Sequence, residues 1–379
     1  MKFVPLALAL AVTTPAAAGD LRIVPAHGVV LSQANNRGYY DIVIDDVVVA
    51  ADAGETLHLQ SLRLELYRDG AALETRVLPA AAVVQNTIAL SEDDFPGALE
   101  SQLLDAYGLA GVFGRPVTLA NSAMLTPSTA LIASGLYFAV NFEPDSIRVT
   151  ADFREGGSIT STVSVSSYVS PIVYHAPLRG AWTEQSLPTL ASHHRLNAST
   201  GFAIDFFKRN ERGEIFSGDE HNARNFPAFG APVLAAADGV VVQAIGDEVQ
   251  DRDAMLPQAG EAPEAAAQRF RQYMFRRLTH DFRRAAAGNI VVIRHEAGGR
   301  VEYSAYGHLR TGSLRVRAGQ SVHQGEVIAE VGDTGDSTDV HLHFQINSGP
   351  DPFTSQSLPV QFADLPPFPD ELGRIVVAP

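Results

Sequence analysis

Cysteine is absent from this chain of 379 residues. That excludes a disulfide framework and any thiolate metal site. A bound metal would have to be held by His, Asp or Glu. Positive charge is scarce: 28 Lys and Arg stand against 43 Asp and Glu, a net charge of −15. A nucleic-acid backbone needs a basic footprint, so general DNA or RNA binding is disfavoured. No stretch after the first residues reaches the roughly 18 apolar residues of a membrane-spanning helix. What is present is ordinary for a globular protein, with 46% apolar and 19% charged residues. The length allows two or three domains, each with its own core.

Residues 1–18 read as a secretory signal peptide. Lys2 supplies the charged start, residues 3–12 the short apolar stretch, and Ala16-Ala17-Ala18 an A-x-A cleavage site before Gly19. The apolar part is too short to span a bilayer, and a buried N-terminal helix is the alternative. The mature protein is expected to be exported, to the periplasm or the medium, with no disulfide to lean on.

Residues 19–174 are expected to form an antiparallel β-sandwich of immunoglobulin-like type. Residues 41–50 and 57–66 alternate apolar and polar side chains with the period of two that marks a half-buried strand. Asp69-Gly70 is a turn signal. Further strand-like runs cover 131–141, 146–153 and 158–168, the last two joined by a turn at Arg154-Glu155-Gly156-Gly157. Residues 96–107 read as a short helix. His27 and His58 are isolated, and no catalytic cluster is visible, so a spacer or docking module is the reading for this half. Pro171, Pro177, Gly180 and Pro188 mark the boundary region.

Residues 175–358 read as a compact antiparallel β domain made of short strands split by Asp-Gly, Gly and polar turns. Two features carry chemistry. In Phe202-Ala203-Ile204-Asp205-Phe206 a carboxylate sits inside an apolar strand. An unpaired buried carboxylate is costly, so Asp205 needs a cation, either a metal or a salt-bridge partner such as Arg195 or Lys208. In Val340-His341-Leu342-His343-Phe344 two imidazoles lie two apart on a strand and so point the same way. Such a pair can bind a metal together, or one ring can bind it while the other works beside it. By itself it can equally be a solvated strand face.

Four pieces in order carry a resemblance. They are His193-His194 followed by Asp205, the run Gly230-Ala231-Pro232-Val233-Leu234 leading to Asp238-Gly239, Tyr306-Gly307-His308-Leu309, and the stretch from Gly332 to His341-Leu342-His343-Phe344. Over about residues 190–348 the chain resembles the lysostaphin-type, LytM-like zinc metallopeptidases, which cut peptide cross-links of peptidoglycan. The resemblance implies Zn2+ held by His194, Asp205 and His343. His193 aligns nearly as well as His194, and only one of the two should ligate; His194 is favoured because its spacing to Asp205 is similar to that of members with a long first motif. The resemblance further implies that His308 and His341 are catalytic without holding the metal, His341 as general base or proton shuttle and His308 as transition-state stabiliser. Which ring does which is not readable from sequence.

Many members carry Gly-Pro before the paired histidines, where this chain has Asp339-Val340, a difference that bears on substrate preference. The glycines of the 332–339 loop could let a substrate backbone approach closely. Residues 246–287 interrupt the strands. Phe270, Met274, Leu278 and Phe282 recur at every fourth position, so 262–287 is expected to be helical. Its arginines suggest either a wall of the substrate groove or a cap packed on the β domain with its charges solvated. Residues 359–379 read as a proline-rich extended tail. The function implied is an exported zinc endopeptidase acting on peptidoglycan stem peptides or cross-bridges. A non-catalytic activator of a cell-wall amidase and a secreted general protease are the alternatives.

Overall fold

The computed structural model describes residues 19–24, 29–34, 38–92, 115–185, 194, 199–365 and 374–379. The signal peptide expected at 1–18, the helix expected at 96–107, His27 and His193 lie outside the described residues. The chain is mainly β, in two sheet systems with separate apolar cores, one drawn from residues 21–165 and the other from 172–378.

In the first system the alternating segments form long strands. Tyr40–Ala51 pairs with Thr129–Val140, and Leu57–Arg68 pairs with both Ala71–Pro79 and Ser146–Phe153. The hairpin between Leu57–Arg68 and Ala71–Pro79 turns at Asp69 and Gly70, with φ of 51° and 78°. Positive φ at both turn residues matches the right-handed twist of the flanking strands. Leu59, Leu62, Leu64 and Leu66 are fully buried in one core with Ile147 and Val149. Hydrogen bonding links these strands into one ten-stranded sheet with two parallel pairs, Ser158–Ser167 on Val29–Ala34 and Thr118–Leu119 on Thr129–Val140. The pairing thus does not carry the immunoglobulin-like part of the expectation. A helix, Ala80–Glu92, follows the strand Ala71–Pro79 directly, and Thr87 on it donates to the Ile132 carbonyl and accepts from the Ile132 amide.

The second system is a nine-stranded antiparallel sheet. Its path runs Ser321–Val322, Gly239–Ile245, Asn289–Ala297, Arg300–Leu309, Leu342–Asn347, Ile204–Phe207, Gly180–Gln185 and Arg374–Ala378, and the ninth strand, Ser357–Leu358, pairs with Leu342–Asn347 off that path. Arg374–Ala378 pairs with Gly180–Gln185, and Val360, Phe362 and Leu365 are buried in the same core as Phe206 and Phe344. The described residues after 358, expected as part of an extended tail, therefore pack on the domain, with Val360, Phe362, Leu365, Val376 and Ala378 buried in its core. At the entry, Tyr168, Ser170 and Tyr174 all donate to the fully buried Glu302 carboxylate, which fixes the start of this domain on its sheet.

The interruption at 246–287 holds three helices, Arg252–Met255, Pro263–His280 and Phe282–Ala287. Asp281 ends the second and caps the third by accepting from Arg284 N, so the single helix expected over 262–287 is broken there. The apolar stripe packs as its spacing requires: Met274 and Leu278 are buried with Met255, Leu256 and Ala285, and Phe270 and Phe282 flank them. Most of its arginines are tied locally. Arg269 pairs with Glu261, Arg277 with Glu248, Arg284 with Asp247 and Arg283 with Asp351.

Candidate active site

Strand pairing builds the site. In the antiparallel pair of Ile204–Phe207 with Leu342–Asn347, Asp205 lies directly opposite His343. On the other side of Leu342–Asn347, Gly307 lies opposite His343, which brings the next residue, His308, alongside. Residues opposite one another on paired strands share a face, so three distant segments deliver their polar groups to one side of the sheet. Ile204, Phe206, Leu342 and Phe344 point to the other side and anchor in the core.

Asp205 is 4% exposed and sits at the centre. His194 Nε2 lies 3.0 Å from its Oδ2, and His343 Nδ1 lies 3.0 Å from its Oδ1. His341 Nε2 is 3.6 Å from Oδ1. Burial alone would raise the carboxyl, but the charges of His194 and His341 and the bonds from His194 and His343 outweigh it and hold Asp205 well below the usual carboxylate range. Burial works downward on His343, yet the Asp205 bond and charge, with the Gln345 acceptor, bring it above the ordinary imidazole value.

One donor atom from each of His194, Asp205 and His343 falls within 4.8 Å of the others. Two imidazoles and one carboxylate are a donor set that suits catalytic zinc, which takes three protein N or O ligands and leaves a position for water. The far nitrogen of His343 supports the same use. Gln345 turns its amide nitrogen to the carbonyls of Ser199 and Pro352 and to Asn347 Oδ1, so its Oε1 faces His343 Nε2 at 2.7 Å. An acceptor there keeps the proton on Nε2 and leaves Nδ1 for the metal. Reading the sequence motif by motif misses Gln345 although a signal exists: it continues the alternation of His341 and His343 by one more step.

His308 and His341 stand beside this group. Their ring centroids are 4.7 Å apart, and His308 lies 5.8 Å from His343. His308 Nδ1 donates to the Thr334 carbonyl at 2.8 Å. Its φ of 57° is left-handed, a conformation that histidine adopts more readily than most residues and that aims the side chain out of the strand's regular course. His341 Nδ1 faces the Asp339 carbonyl and Ser337 Oγ, both at 3.2 Å, while Phe207 stacks on its ring at 4.8 Å. Burial pushes both rings below the ordinary imidazole value; at His308 the neighbouring His341 and His343 add to this, and at His341 the Asp205 charge opposes it.

The loop before the paired histidines is held from two sides. Gly332 bridges His341, and a Cβ on Gly332 would lie 2.4 Å from Arg310 N. Gly335, with φ of 88°, has room for no Cβ because Gly288 N would be 2.4 Å away. These glycines serve contacts inside the protein; the close substrate approach suggested for them is not what demands them. Arg252, on the first helix of the interruption, pairs with Asp333 at 2.8 Å and donates to the Thr338 and Glu220 carbonyls. Gln250 donates to the Gly335 and Ser337 carbonyls. Nothing local in the sequence flags Arg252, because its partner lies 81 residues away.

The five residues line one cavity of about 560 Å³. The interruption contributes Phe282, Ala286 and Ala287 to its wall, so it flanks the site through apolar groups and not through its arginines. His221, His280, His295 and His323 do not line it. His295 is structural, with Nδ1 donating to the Asp238 carbonyl and Nε2 2.7 Å from Ser304 Oγ.

Comparison with known proteins finds a match between residues 278–355 and the family model described as Peptidase family M23. Among solved structures, the catalytic domain of the antimicrobial peptidase lysostaphin from Staphylococcus simulans is 19% identical, over 46% of this chain and 88% of that one, with a TM-score of 0.25. The catalytic domain of the prophage-encoded M23 protein EnpA from Enterococcus faecalis is 16% identical, over 51% of this chain and 91% of that one, with a TM-score of 0.24. Helicobacter pylori Csd3 is 16% identical, over 83% of this chain and 68% of that one, with a TM-score of 0.26.

Proposed function

We propose, from the match of residues 278–355 to the model of peptidase family M23, that this chain is an exported zinc endopeptidase hydrolysing peptide cross-links of bacterial peptidoglycan. The observation that carries the reading is the meeting of a three-donor group, His194, Asp205 and His343, with two further imidazoles in one cavity. A complete donor set beside proton-handling side chains favours hydrolysis over a role as a non-catalytic activator. Export is supported by residues 1–18, and no described helix is long and apolar enough to cross a membrane.

His194, Asp205 and His343 would hold the zinc, which lowers the pKa of a water toward neutrality and polarises the scissile carbonyl. The protein's own groups do the rest. His341 and His308 each tie Nδ1 to a backbone carbonyl, which leaves Nε2 as the working atom. His341 Nε2, 3.6 Å from the Asp205 carboxylate, takes a proton from the attacking water and returns it to the leaving amide nitrogen. His308 stands beside His341 in the cavity, its ring fixed by the Nδ1 bond to Thr334, as the transition-state stabiliser. Phe207 and the Ser337–Asp339 turn hold the His341 ring in place. The apolar wall at Phe282, Ala287 and Ile290 limits water beside the scissile bond.

The test is zymography on purified peptidoglycan together with metal analysis. Wild type is expected to carry about one zinc per chain and to clear the substrate. His343→Ala should lose both the metal and the activity. His308→Ala should keep the metal and lose activity by about 10²- to 10³-fold, the usual cost of removing a transition-state donor. Full activity in His343→Ala would overturn the assignment, and cleavage of casein without cleavage of peptidoglycan would favour a general protease.

A further inference from the structure

Two carboxylates in the cavity, Asp336 and Asp339, are not used by the metal group. Asp336 lines the same cavity as His308 and His343, and its backbone N–H donates to the Ala286 carbonyl, which pins the residue against the helical wall. Its side chain makes no hydrogen bond or ion pair among the described residues. Burial raises its pKa to about 6, and the Arg277 charge offsets this only in part. Arg277 itself is engaged, 2.6 Å from Glu248 Oε1 and 3.3 Å from the Tyr273 hydroxyl. Among the described residues no lysine or arginine lines the cavity. A desolvated carboxylate without a partner is unfavourable, and the free protein carries that cost where a ligand would remove it. Phe282, Ile290 and Phe353 form apolar wall in the same cavity. An apolar wall together with an unpartnered carboxylate suits a methylene chain ending in an ammonium group.

We infer that Asp336 is a specificity-determining residue that binds an alkylammonium group of the substrate, either the side-chain amine of a diamino acid or a free α-amine. The inference rests on the peptidase reading only for the statement that the ligand is a peptide. Asp339 belongs to the turn that holds His341, and its carbonyl serves that ring. Asp336 is therefore the carboxylate placed against the apolar wall.

Binding to the full chain supplied with zinc, followed by ligand-observed NMR titration at pH 7.5, separates the possibilities. The probes are Nα-acetyl-lysinamide, with only a side-chain ammonium, norleucinamide, with only an α-ammonium, and the neutral Nα-acetyl-norleucinamide. One of the two cations is expected to bind at least about tenfold tighter than the neutral probe, as for a hydrogen bond to a charged group. Which cation does so identifies the amine. The isosteric Asp336→Asn should reduce that preference to within about twofold, with the thermal melting curve confirming that the variant is folded. Equal binding of all three probes, binding of none, a preference surviving in Asp336→Asn, or one lost only in Asp339→Asn would overturn the assignment. A chain that shows the preference but cleaves no peptidoglycan would overturn the peptidase reading alone.

Discussion

The two halves of the chain bury different things. Before residue 180, Thr87 and Thr150 are the only polar residues among the described ones that are wholly buried, and the Asp46 carboxylate is desolvated in a residue that stays partly exposed; after it come Glu184, Asp205, Arg252, Asn289, Glu302, His308, Asp333, His341, Gln345 and others. The first core could be replaced by another of similar volume without loss of chemistry. The second cannot, because most of its buried polar groups are held by specific partners and several of them meet in one cavity. Buried polarity, more than apolar packing, therefore marks the proposed site.

The comparison is most sharply tested at Arg252 and Asp333, whose side chains are 7% and 8% exposed. Arg252→Ala leaves a buried carboxylate without its cation and should cost about 3–5 kcal/mol, whereas the double change Arg252→Met with Asp333→Leu should cost much less. Chemical denaturation of both variants decides the point; equal losses would mean that the ion pair contributes no more than packing.

A smaller effect is expected at Gln345. Gln345→Ala removes the acceptor for His343 Nε2 and should weaken metal affinity by about 10- to 100-fold. Competition with a chelator measures it, and Gln345→Glu, which keeps an acceptor, should recover part of the loss. Unchanged affinity would show that the strand alone sets the ring's orientation.

The smallest effect concerns a desolvated carboxylate in the first half. Asp46 lies opposite Ser134 in the pair of Tyr40–Ala51 with Thr129–Val140 and accepts from its hydroxyl. Burial raises its pKa to about 6, against 3.8 in the unfolded chain. The folded state therefore binds more protons than the unfolded one between those values, and stability falls as pH rises through the window and stays reduced above it. Asp46→Asn should stabilise this half by roughly 2 kcal/mol at pH 7, since each tenfold difference in proton affinity between folded and unfolded chain is worth about 1.4 kcal/mol and partial exposure lessens the total. Urea denaturation at pH 4.5 and pH 7 checks it; a pH dependence that survives the substitution would rule Asp46 out as its source.

Much of this is legible in the residues. Period-two alternation marks the long strands of the first half, and the four-residue repeat from Phe270 to Phe282 marks the packed helical face. What alternation leaves open is which strands pair: two parallel pairs join the first sheet, and the apolar residues after 358 return to close the second. Local patterns say which face of a strand is buried but not which strand lies beside it. Arg252 and Gln345 escape a local reading for related reasons, the first because its partner is remote, the second because the alternation that includes it runs one step past the histidines.

By itself the sequence determined that any metal would meet only nitrogen and oxygen donors, that His341 and His343 share a face, and that Asp205 requires a cation. Tertiary structure decided the rest. The register of Ile204–Phe207 against Leu342–Asn347 sets Asp205 opposite His343 across 138 residues of chain. One residue of slip would turn Asp205 into the core and Ile204 toward the cavity, because strand side chains alternate faces. That register is fixed by the burial of Phe206, Leu342 and Phe344 on the other side of the sheet. The apolar residues between the functional ones thus fix where those functional groups meet.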